Sequence, residues 1–140
     1  MFSKILVAID GSEGGKKALV AAITIAAKLG SELESISVKE KPSHFAETVG
    51  EVMEEQEEAD RCFARVTAEA TALAEREGVK LTCTVLSGHE VETIVRYARE
   101  QHFELLVIGF MGHSRVFGRM WGGTSQNLAK TSPCSVLVVK

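Results

Sequence analysis

The sequence predicts a single α/β domain built on a mostly parallel sheet. Short runs of strand-forming residues alternate with longer stretches of helical periodicity, which is typical of repeated strand–helix–strand units. A chain of 140 residues fits one domain and can bury a substantial core. Neither a linker nor an internal repeat divides it, and we therefore expect one domain over residues 1–140.

The first strand and helix are predicted at the amino terminus. Residues 4–9 are mostly apolar and predict a strand, and Asp10-Gly11-Ser12 predicts the turn that follows. Ser12 is a suitable N-cap, because its hydroxyl can accept a hydrogen bond from the first helical turn. The helix is expected to end at Leu29, since Gly30 stands where a C-terminal glycine is common.

The remaining elements continue the alternation. Further strands are predicted at residues 33–38, 79–86, 105–108 and 134–139, and further helices at residues 51–77, about 90–101 and 124–130. The strand at 105–108 is continuously apolar, which favours a central position in the sheet. The strand at 79–86 alternates apolar and polar residues, which favours an edge. In the helix at 51–77 either Cys62 or Phe63 completes the apolar stripe.

Composition excludes several classes of function. The formal net charge is −3, so no basic excess is present to neutralise nucleic-acid phosphates or to anchor the chain to a membrane surface. The leading apolar run is too short for a signal-peptide core or a membrane span, and we expect a cytoplasmic protein. Three widely spaced cysteines without a CxxC pair favour reduced thiols over structural zinc or disulfides.

The ligand site is expected where the order of the strands reverses. Open α/β sheets bind ligands beyond the carboxyl ends of their strands at such a point. The first and fourth strands are the most continuously apolar before the last one. If they are neighbours, Asp10 and Gly109 meet across one crevice.

The loop after the fourth strand is rich in glycine. Gly109 and Gly112 permit close backbone approach, and Gly122 and Gly123 precede a helix whose amino-terminal N–H groups favour an anion. Hydroxyl and guanidinium donors accompany them at Thr124, Ser125, Arg115 and Arg119. The spacing alone is also compatible with a glycine-rich loop that only turns the chain and binds no phosphate. Neither GxxxxGK[ST] nor a GxGxxG after the first strand is present, so conventional P-loop nucleotidases and dinucleotide oxidoreductases find no support.

The glycine spacing carries a specific resemblance. Gly109-x2-Gly112-x9-Gly122 resembles the Gly-x2-Gly-x9-Gly-(Ser/Thr) signature of ATP-binding universal stress proteins. The opening ILVAIDGS at residues 5–12 and the closing PCSVLVV at 133–139 also resemble that family. The resemblance covers the whole chain and implies a five-stranded parallel sheet in order 3-2-1-4-5, with helices on both faces. It also implies a homodimer, for which the uncovered apolar strand at the carboxyl end is the expected contact.

The family resemblance also assigns roles to residues. Asp10 would hold the ribose hydroxyls, the backbone of Val38 would meet adenine, and Gly109 and Gly112 would pass close to ribose and phosphates. The implied cofactor is ATP or a related adenine nucleotide, accompanied by Mg²⁺ or Mn²⁺. Gly123 departs from the signature, which has Ser or Thr there. The full set of expected cofactor-binding residues is Asp10, Val38, Gly109, Gly112, His113, Arg115, Gly122, Gly123, Thr124 and Ser125.

The sequence gives less support to a catalytic function. Asp10 as a phosphoacceptor would need further acidic residues beside it, and it follows Ile9. His113 has no evident partner, and no serine has an assigned base. We therefore expect a stress-response regulatory module that binds an adenine nucleotide, with at most slow hydrolysis and no catalytic residue. The alternative is a dimeric protein-interaction module of the same fold that binds no nucleotide. Neither hypothesis involves nucleic acid or a membrane, and neither identifies the protein partner.

Overall fold

Strands and helices alternate along the chain as the sequence predicts. The computed structural model describes residues 1–40, 48–110 and 123–140. Within these ranges the elements are β1 (Lys4–Ala8), α1 (Glu13–Leu29), β2 (Glu32–Lys39), α2 (Val49–Arg76), β3 (Leu81–Ser87), α3 (Glu90–Glu100), β4 (Leu105–Gly109), α4 (Gly123–Thr131) and β5 (Ser135–Val139). Each end lies within two residues of its predicted position. None of the helices in the described ranges is both long enough and apolar enough to cross a membrane.

The five strands form one parallel sheet in the order β3-β2-β1-β4-β5. This confirms the expected order 3-2-1-4-5. From β1 the chain adds β2 and β3 on one side and then β4 and β5 on the other. The order therefore reverses between β1 and β4, where Val7 pairs with Val107. β3 and β5 are the edges, and β4 is central, as its apolar run indicates.

Two hydrophobic clusters cover the two faces of the sheet. Successive strand residues point to opposite faces, so Ile5 and Val7 belong to one cluster and Leu6 to the other. The first face is covered by α1 and α2, largely through alanines that let the helices approach closely: Ala18, Ala22, Ala26, Ala70 and Ala74. The second face is covered by α3 and α4 through Ile94, Ala98 and Leu128.

The ends of α1 follow the local chemistry of its sequence. Ser12 has extended backbone angles, and its Oγ accepts a hydrogen bond from the backbone N–H of Gly15 at 3.1 Å. At the other end Gly30 adopts φ 67°, a left-handed conformation that favours glycine. Both caps are as the sequence predicts, and the amino-terminal cap places the turn at Asp10 beside the reversal of strand order.

Candidate functional site

A crevice opens at the carboxyl ends of β1 and β4. Its volume is about 410 Å³, which lies within the usual range for small-molecule sites. Asp10, Ser12 and Gly109 all line it. The reversal of strand order thus brings Asp10 and Gly109 to one crevice. This is the arrangement that the sequence predicts if the first and fourth strands are neighbours.

The carboxylate of Asp10 is held by the turn that follows it. Its Oδ1 accepts hydrogen bonds from the backbone N–H of Ser12 at 2.9 Å and from Ser12 Oγ at 2.5 Å. Because Ser12 Oγ itself accepts from the N–H of Gly15, a continuous chain of hydrogen bonds links α1 to the carboxylate. The half-buried carboxylate therefore has a fixed orientation at the rim of the crevice.

Glycines pack the first turn of α1 against the end of β4. A Cβ atom on Gly15 would lie 3.0 Å from Asp10 Oδ1, and one on Gly109 would lie 2.6 Å from the carbonyl carbon of Gly14. Sequence reasoning assigned Gly109 to the site and missed Gly14 and Gly15. The available signal was a glycine pair inside a helix, where glycine lowers helical stability and so needs another reason.

The first turn of α4 forms another wall of the crevice. Ser125 is buried, and its Oγ donates a hydrogen bond to the backbone carbonyl of Gly109 at 2.7 Å. That hydroxyl hydrogen is engaged at the end of β4. Thr124 is half-buried and also lines the crevice. Gly123 is exposed, and an added Cβ would have no atom of the described residues within 4 Å, so this part of the chain leaves room for a side chain at the start of the helix.

The remaining part of the crevice is apolar. Val38, near the end of β2, and Phe63 from α2 both line it. The sequence leaves Cys62 and Phe63 as alternatives for the stripe of α2, and the structure selects Phe63, because Cys62 is exposed. Phe63 is half-buried but belongs to neither core cluster of the described residues. It is an aromatic surface available to a ligand, and sequence reasoning gave it no functional role.

The charged groups of the crevice are acidic in the part of the chain that the structure describes. Asp10, Glu40 and Glu90 line it, and no lysine or arginine does so among the described residues. Positive potential comes instead from the helix amino termini, at Ser12 and Gly123. No three His, Cys, Asp or Glu side chains of the described ranges are grouped to hold a metal ion. A divalent cation beside Asp10 would therefore take its other oxygen ligands from water, from the backbone or from a bound molecule.

Four of the expected site residues lie outside the described ranges: Gly112, His113, Arg115 and Gly122. Arg119 lies there as well. Of the expected residues that the structure describes, five line the crevice: Asp10, Val38, Gly109, Thr124 and Ser125. Gly123 directly precedes Thr124 in the chain.

Comparison with known proteins identifies relatives over the full length of the chain. The family model described as the Universal stress protein family matches residues 1–140. The universal stress protein in the QAH/OAS sulfhydrylase 3′ region of Thermus aquaticus is 32% identical over 144 residues, covering 100% of both chains. Universal stress protein YxiE of Bacillus subtilis is 29% identical over 154 residues, again covering 100% of both.

Solved structures share the fold. Universal stress protein UspA from Lactobacillus plantarum superposes with a TM-score of 0.87 at 22% identity, covering 99% of this chain and 98% of that one. A universal stress protein in complex with cAMP gives 0.77 at 26% identity, covering 99% and 97%. The universal stress protein from Archaeoglobus fulgidus in complex with dAMP gives 0.69 at 22% identity, covering 100% of both.

Proposed function

Because this chain belongs to the universal stress protein family, we propose that it is a stress-response regulatory module that binds an adenine nucleotide in the crevice between β1 and β4. The observation that carries this proposal is the position of Asp10. Its carboxylate is oriented by Ser12 at the reversal of strand order, in a crevice that Gly109 and the amino-terminal turn of α4 also line. The cAMP complex of a relative 26% identical to this chain supports the same class of ligand.

The chemistry of the crevice assigns one part of a nucleotide to each region. The Asp10 carboxylate accepts hydrogen bonds from ribose hydroxyls, which are donors. Adenine lies beside Val38 and Phe63, where an aromatic ring and a strand end offer apolar contact. The phosphates lie toward Gly123 and Thr124, because the N–H groups of a helix amino terminus and its dipole favour anions.

ATP is the nucleotide that we propose, with Mg²⁺ or Mn²⁺ entering as its complex. Asp10 would share such an ion with phosphate oxygens and water, since no group of three His, Cys, Asp or Glu side chains forms among the described residues. Gly112, His113, Arg115 and Gly122 complete the proposed phosphate contacts by their place in the glycine motif. No base or nucleophile is assigned, so hydrolysis is slow at most.

A non-binding role is the second candidate, and two features of the site favour it. The described wall of the crevice carries Asp10, Glu40 and Glu90 without a basic side chain, and Gly123 replaces the hydroxyl residue of the family signature. Both features disfavour a polyphosphate. In that case the chain acts as a dimeric interaction module of the same fold.

Both candidate functions include a homodimer that forms through β5. β5 is an edge strand, and four of its five residues are apolar and half-buried. Its outer edge presents unpaired backbone groups within the described chain, which makes it a template for pairing with another strand. We propose that a second copy of the chain covers it.

Nucleotide retained through purification separates the two candidates. The protein is expressed and purified without added nucleotide, denatured, and the supernatant analysed by absorbance and mass spectrometry. An adenine nucleotide at a substantial fraction of the protein concentration supports the first candidate. If no nucleotide is retained and calorimetry detects no binding of added ATP, AMP or cAMP, the result supports the interaction module.

A further inference from the structure

An ion pair joins the middle of α2 to the end of β2, beside the crevice. The ammonium group of Lys39 contacts the carboxylate of Asp60, and the side chains are 29% and 60% exposed, respectively. Neither of these two described residues lines the crevice, although Val38 and Glu40, the neighbours of Lys39 in the chain, both do. The pair therefore lies next to the proposed ligand site without forming part of its wall.

The backbone at Lys39 is held by the sheet and by the turn after β3. Lys39 pairs with Ser87 of β3 in the parallel register. Its carbonyl oxygen also accepts a hydrogen bond from the backbone N–H of Gly88 at 2.9 Å. Because the end of β2 is held in this way, the ammonium group of Lys39 gives α2 a fixed point of attachment.

Asp60 lies less than one helical turn before Phe63, the aromatic residue of the crevice. Helical residues advance by about 100° each, so Phe63 lies within about 20° of Ala70 and Ala74 around the axis of α2. Those alanines are buried on the first face of the sheet, two and three turns further along the helix. Closer to Phe63, Val66 packs against the same cluster on one side, and the ion pair of Asp60 attaches the helix on the other.

We propose that Lys39 is a positioning residue, which holds Phe63 against the crevice through its ion pair with Asp60 and so strengthens binding of the adenine base. This inference rests on the proposed function, since it concerns the side chain that contacts the base. An ion pair that is partly exposed contributes modestly and is screened by salt. The affinity for adenine compounds therefore responds to salt even when the ligand carries no charge.

Calorimetric titration with adenosine measures this effect, because adenosine is uncharged at neutral pH and forms no ion pair of its own. Lys39→Met removes the charge but keeps an unbranched chain, and it should weaken binding about twofold to fivefold, the scale of a partly exposed ion pair. Lys39→Arg should weaken binding less, because it keeps a positive charge for Asp60. The control is Lys80→Met, which removes the same charge before β3, at the opposite end of the sheet, and should bind as the wild type does.

Three further measurements separate the positioning of Phe63 from a general effect on stability. In the Phe63→Ala background, Lys39→Met should cause no additional loss of affinity, because the side chain that Lys39 positions is gone. Without ligand, the amides of residues 57–66 should exchange faster with solvent in Lys39→Met than in the wild type. Raising the salt should narrow the difference in adenosine affinity between wild type and Lys39→Met.

Equal adenosine affinity of wild type and Lys39→Met would overturn the positioning role while leaving the nucleotide site in place. The same loss of affinity with and without Phe63, or an equal loss in Lys80→Met, would also contradict it. If the wild type binds a nucleotide but not adenosine, the variants are compared with that nucleotide, and Lys80→Met corrects for the lost charge. If the wild type binds no adenine compound at all, the proposed function fails and this inference fails with it.

Discussion

A Cβ atom built on Gly109 would lie 2.5 Å from the carbonyl oxygen of Gly14. The end of β4 and the first turn of α1 therefore touch backbone to backbone. This contact fixes the distance between β4 and the turn that holds Asp10, and with it the width of the crevice. The two glycines belong to different parts of the sequence, and only the fold brings them together.

Replacing Gly109 by alanine tests this contact. The added methyl group collides with backbone atoms, which cannot move aside as a flexible side chain can, so Gly109→Ala should lower the free energy of unfolding by about 1–3 kcal/mol. Urea denaturation measures the change. The control is Gly50→Ala in α2, where an added Cβ would have Thr48 Oγ1, at 3.8 Å, as its nearest contact outside the helix backbone among the described residues. It should leave stability unchanged or raise it by up to about 1 kcal/mol. Equal effects of the two substitutions would show that the contact with Gly14 is not tight.

Phe63 is predicted to contact the base of the nucleotide. Stacking of a base on an aromatic side chain contributes about 1–3 kcal/mol, so Phe63→Ala should weaken adenine-nucleotide binding roughly fivefold to a hundredfold. Phe63→Leu should lose less, because it keeps apolar contact. Calorimetric titration gives the affinities, with Met53→Ala on the exposed part of the same helix as the control. Wild-type affinity in Phe63→Ala would remove this side chain from the site.

Gly123→Ser restores the hydroxyl of the family signature. A hydrogen bond to a charged acceptor contributes about 1.5–3 kcal/mol, so the serine should tighten ATP binding about tenfold or more. The described residues leave space for it, since none of their atoms lies within 4 Å of an added Cβ. Gly123→Ala adds the Cβ without the hydroxyl and should not tighten binding. If serine and alanine behave alike, or if both weaken binding, the loop requires glycine at this position.

The homodimer is predicted to depend on β5 and not on the opposite edge of the sheet. Val138→Lys places a charge on β5 and should shift the chain toward monomer in light scattering. Because Val138 also packs against the core cluster beneath α3 and α4, circular dichroism must show that the variant remains folded. Val85→Lys on β3 is the matched substitution, at an apolar residue 38% exposed, and should leave the dimer intact. A wild type that is already monomeric at micromolar concentration contradicts the proposal.

Much of the fold was predictable because burial leaves a periodic trace in the sequence. The apolar run at β4 predicted a central strand, and Ser12 and Gly30 predicted the ends of α1. The same burial argument placed Asp10 and Gly109 at one crevice. Each of these predictions depends on the pattern within a single strand or helix, and the meeting of Asp10 and Gly109 also required β1 and β4 to be neighbours.

Contacts between distant segments were not predictable in the same way. Ser125 was expected as a phosphate donor, but its hydroxyl bonds to Gly109, sixteen residues earlier. Helical periodicity could not separate Cys62 from Phe63, because adjacent positions differ by only about 100° and both fit a broad stripe. The role of Gly14 depends on how closely the end of β4 approaches α1, and no pattern of neighbouring residues in the sequence indicates that distance.

Calorimetric titration with ATP, AMP and cAMP, on protein freed of bound nucleotide, tests the central claim most directly. Wild type should bind at least one of them at a ratio of one per chain, and Asp10→Ala should weaken that binding by tenfold or more while remaining folded. Ser12→Ala is the control for the turn: it removes the N-cap, lowering stability by about 1 kcal/mol, but keeps the carboxylate. It should weaken binding less than Asp10→Ala does, because the backbone N–H of Ser12 still holds the carboxylate. No saturable binding by the wild type at millimolar nucleotide, or equal affinity in Asp10→Ala, would contradict the assignment of the crevice as an adenine-nucleotide site.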